Sequence, residues 1–159
     1  MIINIEYNMN ELNSIDRKKL ENAIDLQKLG KDENSLSILK ELIKDNPNNS
    51  KVISFLGLVL AKINDYENAI TYLKKAVKLK PTNELLSLTL YISYSEEENY
   101  EMAFKVLFDY LEKQPANLFK ETLEELLEGL LDGYGDTYKD KIVSYAKKNH
   151  VFIPKELVN

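Results

Sequence analysis

The sequence predicts an all-α protein built from paired helices, and three observations carry that expectation. Pro47, Pro81 and Pro115 stand 34 residues apart. Small and apolar positions repeat in phase with them. Five glycines and four prolines in 159 residues are too few for a loop-rich or all-β chain. Fixed self-similarity at this length marks a helical repeat array, in which one pair of helices cannot bury its apolar face without a neighbour.

The phase is read by counting back from each proline. Ser35, Ala69 and Ala103 are the small residues at one position, and Leu39, Leu73 and Leu107 share another. Leu36, Ile70 and Phe104 form a third set, and Leu26, Leu60 and Tyr94 a fourth. Polar breaks fall at Gly30-Lys31-Asp32, Asn64-Asp65-Tyr66 and Glu98-Asn99-Tyr100. Each unit therefore reads as two amphipathic helices joined by a short turn. The small residue lets the two helices approach closely. The proline ends the second helix because it cannot continue the hydrogen-bond ladder.

The elements follow in order. In residues 1–13, Ile3, Ile5, Tyr7 and Met9 alternate with Asn4, Glu6, Asn8 and Asn10, the period of an extended segment or tail. The first unit, 16–49, predicts helices at 15–29 and 33–45, with Ser14 as the N-cap. The second, 50–83, predicts 50–63 and 66–79; the third, 84–117, predicts 84–96 and 100–113. The period then fails. Leu118, Leu123, Leu126, Leu127 and Leu130 predict a helix at 118–131. Asp132-Gly133-Tyr134-Gly135-Asp136 is a stop and restart, with Asp136 capping a last helix at 137–149. Residues 118–150 are expected as a capping pair and 151–159 as a tail, the whole of 14–159 forming one domain.

Charge and composition exclude several functions. Lys plus Arg number 21 against 26 Asp plus Glu, a net charge of −5, so no basic face for nucleic acid or anionic lipid is expected. There is no Cys and only one His, His150, which removes thiolate chemistry and most metal sites. No run reaches the about 18 apolar residues that span a bilayer, and the first ten residues do not read as a leader; a soluble, cytoplasmic protein is expected. Asp132, Asp136 and Asp140 lack the spacing of a calcium loop. Glu96-Glu97-Glu98 and Glu121, Glu124, Glu125 and Glu128 read as solvated helix faces rather than paired carboxylates in a cleft. No enzyme activity, metal or cofactor is expected.

The pattern resembles the tetratricopeptide repeat (TPR) family. The middle unit carries Leu56-Gly57, Leu60, Ala69, Leu73, Ala76 and Pro81 at the family's spacings. The third matches at Leu90, Tyr94, Ala103, Leu107 and Pro115, and departs at Tyr91 and Tyr110. The first matches at Ala23, Leu26, Ser35, Leu39 and Pro47, and departs at Lys19 and Asn22. The resemblance implies a right-handed α-solenoid of helix-turn-helix units, about eight helices in all, whose first helices line a concave groove. The family's groove positions fall on Arg17, Leu20, Glu21, Ile24 and Lys28; on Lys51, Ser54, Phe55, Leu58 and Lys62; and on Leu85, Leu88, Thr89, Ile92 and Ser95. Phe119, Leu123 and Leu126 are expected to extend the lining.

The family's carboxylate clamp is absent, since its positions hold Leu20, Ile24, Phe55 and Leu85. What remains is an apolar stripe of Leu20, Ile24, Phe55, Leu58, Leu85, Leu88 and Ile92 edged by Arg17, Lys28, Lys51 and Lys62. The resemblance implies a non-catalytic protein–protein interaction module, an adaptor or chaperone, holding an apolar or amphipathic peptide segment. The alternative is a self-associating structural protein, a homodimer whose groove is filled by its own N-terminal segment or a second copy.

Overall fold

The computed structural model describes residues 12–158. The extended segment expected at the N-terminus lies, up to residue 11, outside the described residues. The described residues form eight α-helices and no strand. The chain divides into two compact units between Lys80 and Pro81. The first holds α1 (Ser14–Lys28), α2 (Asp32–Asp45), α3 (Ser50–Lys62) and α4 (Tyr66–Leu79). The second holds α5 (Glu84–Glu96), α6 (Tyr100–Lys113), α7 (Phe119–Leu131) and α8 (Lys139–Lys148), with 3₁₀ turns at Asp136–Tyr138 and Lys155–Leu157.

The repeat is written into the turns. The first helix of each pair ends on a left-handed residue: Gly30 (φ 71°), Asn64 (φ 64°) and Glu98 (φ 56°). In each, the next residue closes the helix. The N–H of Lys31 donates to the Leu26 carbonyl at 2.9 Å, that of Asp65 to Leu60 at 2.9 Å, and that of Asn99 to Tyr94 at 2.8 Å. This is the glycine-type C-terminal closure, which satisfies carbonyls that helix ends leave orphaned. His150 takes the same left-handed position after α8, with Val151 N–H donating to the Ala146 carbonyl.

The starts of the first helices use a side chain that the proline period hides. After Pro47 and Pro81, the second residue is Asn49 or Asn83, and each caps the helix it precedes. Asn49 Oδ1 accepts from the N–H of Lys51 at 3.0 Å and of Val52 at 3.1 Å. Asn13, not Ser14, caps α1, accepting from Ile15 and Asp16. Such a cap contributes about 1 kcal/mol. Asp136 does not cap α8. Gly133 and Gly135 both take left-handed φ, and Asp136 instead opens a 3₁₀ turn, so α8 starts at Lys139.

Within the first unit, α3 and α4 cross at Gly57. A Cβ there would lie 2.9 Å from Leu73 Cγ, so only glycine fits without movement. The second unit is closed differently. Phe104, Phe108, Tyr110, Phe119, Leu123 and Leu127 build one core with Ile142 and Ala146 of α8. Val151 and Leu157, from the segment expected as a tail, are buried in it. Glu84 of α5 supplies the start of α7: its Oε1 accepts from the N–H of Asn117 at 2.7 Å and of Phe119 at 3.0 Å. An anion at a helix N-terminus is favoured by the orphan N–H groups and the helix dipole.

Candidate peptide-binding cleft

Helices α1 and α3 flank a cleft in the first unit with a volume of about 390 Å³. Its lining includes Leu20, Ile24 and Phe55 as the apolar floor and Arg17, Glu21 and Lys51 as the charged rim. The 34-residue period explains the convergence. Arg17 and Lys51 are equivalent positions of two repeats, as are Glu21 and Phe55, so consecutive first helices turn the same face to one space. Leu20 is buried, Ile24 and Phe55 are half-buried, and Arg17 and Lys51 are exposed. Among the described residues, neither Arg17 nor Lys51 makes an ion pair. The rim thus offers two cations and one carboxylate over an apolar floor.

Two lining residues escape the sequence reading. Leu12 is 8% exposed and forms part of the wall, so the chain reaches α1 along the cleft itself. Asn49, the cap of α3, is also in the lining. The signal for Asn49 is the Pro-x-Asn spacing shared by Pro47 and Pro81; Leu12 has none, because it precedes the first repeat.

Other groove positions go elsewhere. Lys62 is drawn to α2, where its Nζ pairs with Asp32 at 2.8 Å and donates to the Gln27 carbonyl at 3.3 Å. Lys28 pairs with Asp25 on its own helix at 2.9 Å. Leu58 is half-buried on α3 outside the cleft lining. On α5 of the second unit, Leu85 and Ile92 are exposed, while Leu88 packs against the aromatic core. Phe119 and Leu123 do not line a groove: both are fully buried in that core, since α7 begins a pair that turns its apolar face onto α6 and α8.

Short self-closing turns, in-phase small residues at the crossings and a first-helix cleft define an all-α helical-repeat protein. The chain matches the family model described as Psidin, N-terminal TPR repeats region, over residues 13–119, and it belongs to that TPR family. Such repeats make protein–protein interaction scaffolds. Solved structures of MamA are similar in fold. One, a MamA RS-1 ArsTM double mutant, is 17% identical with a TM-score of 0.70, covering 85% of this chain and 75% of that one. Another, MamA MSR-1 C2, is 20% identical with a TM-score of 0.67, covering 88% and 75%. No curated protein matches the chain. Among the described residues, no helix is long and apolar enough to cross a membrane.

Proposed function

We propose that the protein is a cytoplasmic adaptor or chaperone that does no chemistry of its own and holds an apolar or amphipathic peptide segment of a partner in the α1–α3 cleft. One observation carries this reading: Arg17, Leu20, Ile24, Lys51 and Phe55, from two successive repeats, share one cleft. An apolar floor supplies affinity by burial, and a rim of two cations beside Glu21 orients the segment. A fitting segment presents apolar side chains with an acidic residue at one flank. On α5, the exposed Leu85 and Ile92 offer an apolar patch of their own.

Selection of a displayed random-peptide library on the wild-type chain tests the reading. The expected consensus is apolar with an acidic flank. The Phe55→Asp variant should lose those peptides at unchanged helicity. Selected peptides that bind the variant equally well would place the site elsewhere.

The position of Leu12 in the cleft wall favours a second reading: residues 2–10 occupy the cleft of their own chain or of a second copy. Deleting residues 1–11 should then strengthen binding of the selected peptides or turn a homodimer into a monomer. Unchanged mass and unchanged peptide affinity would end that reading.

A further inference from the structure

The second unit carries a cleft of about 450 Å³ that the peptide reading does not use. Its lining includes four rings, Tyr100, Phe104, Tyr134 and Tyr138, and one carboxylate, Glu125. Tyr138 stacks on Phe104 with centroids 4.2 Å apart and planes inclined by 26°. Tyr100 and Tyr134 are 57% and 74% exposed, so two further ring faces are open to solvent.

Two chain segments that border these rings carry acidic residues and no cation. Gly129, also in the lining, belongs to the last turn of α7, and that turn has no basic residue to offset the negative helix end. The segment 96–101, which leads to Tyr100, holds Glu96, Glu97, Glu98 and Glu101 and no Lys or Arg. Residues 124–136 are equally without a cation. Lys139 follows Tyr138 at the start of α8, and three other lysines of the unit are engaged with their own partners. Lys105 pairs with Asp109 at 2.9 Å, Lys141 lies over the Phe108 ring, and Lys148 lies over the Tyr145 ring. Among the described residues, no lysine lies over Tyr100, Tyr134 or Tyr138.

An aromatic cleft with a carboxylate in its wall and a negative helix end beside it matches one chemistry. We propose that it receives an arginine side chain from a basic segment of a partner protein. The planar guanidinium stacks on the tyrosine faces, as an ammonium does less well, and its charge meets Glu125. The site is independent of the α1–α3 cleft, which favours an acidic flank.

The test uses the isotope-labelled full chain and a blocked Leu-Arg-Leu tripeptide, with the citrulline tripeptide as its neutral counterpart. The backbone amides of Gly129, Gly135 and Thr137 report binding by nuclear magnetic resonance. Saturable shifts there are expected with the arginine peptide. Affinity should fall about fivefold for the citrulline peptide, for Glu125→Gln and for Tyr134→Ala. Glu112→Gln, an exposed carboxylate on α6 outside the lining, should bind as wild type. Equal affinity for the two peptides, an unaffected Glu125→Gln variant, or shifts confined to the Arg17 and Phe55 region would overturn the proposal.

Discussion

The two units bury different chemistry. In α1–α4 the buried apolar residues are aliphatic, among them Leu39, Leu42, Ile53, Leu56, Leu60 and Leu73. In the second unit Tyr94, Phe104, Phe108, Tyr110 and Phe119 are all buried. The difference follows from how each unit closes. Two regular pairs cross over Gly57, Ser35 and Ala69, where backbones approach and branched aliphatic side chains fill what is left. The α7–α8 pair has a seven-residue connection, 132–138, in place of the three-residue turns at 29–31, 63–65 and 97–99. Rings of the third pair meet rings of this one in stacked and edge-on contacts, Phe108 of α6 with Tyr145 of α8 and Tyr91 of α5 with Phe119 of α7. Phe104, Phe108 and Tyr110 stand on α6 of the regular third pair, so rings replace aliphatic side chains where that pair meets α7 and α8.

Four measurements bear on that contrast. The largest effect is expected from Phe119→Ala. This ring is fully buried against Tyr91 and Tyr110, and its loss should cost about 3–5 kcal/mol. In chemical denaturation the loss should appear in the second unit, followed through amide signals of α6 and α7. A cost below about 1 kcal/mol would mean the rings are not what holds that unit.

Gly57→Leu comes next and probes the close crossing in the first unit. With Leu73 Cγ 2.9 Å from the site of a Cβ, overpacking should cost about 2 kcal/mol. An unchanged melting temperature would show that α3 and α4 can separate there, and the aliphatic unit would lose its distinguishing constraint.

Ser35→Ala works in the opposite direction. Ser35 occupies the crossing position that Ala69 and Ala103 fill in the other repeats. It is 1% exposed, and among the described residues its hydroxyl has no hydrogen-bond partner. Removing that unsatisfied group should raise stability by about 1 kcal/mol. Calorimetry that shows a loss instead would mean the hydroxyl is satisfied in solution.

The smallest effect concerns alkali. Burial pushes the phenols of Tyr91, Tyr94, Tyr110 and Tyr145 above their ordinary value of 10.0, all in the second unit. For Tyr91 the Glu125 charge adds to the rise, while its bond to Ser95 opposes it. A raised folded value contributes stability that is complete below the unfolded value and is lost as pH climbs through the folded one. The second unit should therefore weaken above pH 10.0, read as melting temperature against pH beside a phenolate absorbance titration. An equal alkaline loss in α1–α4 would remove the contrast.

The repeats were legible because each satisfies itself locally. A left-handed turn residue, a proline 17 positions later and a small residue between them suffice to place a pair, as Gly30, Ser35 and Pro47 do. The expected boundaries of α4, α5 and α6 coincide with those found. Legibility fails where the outcome depends on partners distant in sequence. Ser14 and Asn13 can both cap a helix, and it is Asn13 that accepts from the N–H of Ile15 and Asp16. Lys62 reads as a groove cation until Asp32, 30 residues earlier, takes its charge. Leu88 keeps its helical phase but is claimed by the aromatic core. Phe119 and Leu123 carry the same apolar pattern as groove residues, and only the fold of α8 shows which side of α7 is covered.

The Glu84 carboxylate has a consequence for the order in which the chain becomes structured. A helix of 13 residues such as α7 is poorly nucleated in isolation. Here the N–H groups of Asn117 and Phe119 find their acceptor on α5, more than 30 residues upstream. During synthesis α5 emerges first, so the acceptor is in place before the helix it starts has left the ribosome. The same bond makes the Phe119 amide a gauge: its hydrogen exchange reports each separation of α7 from α5, without unfolding of either helix.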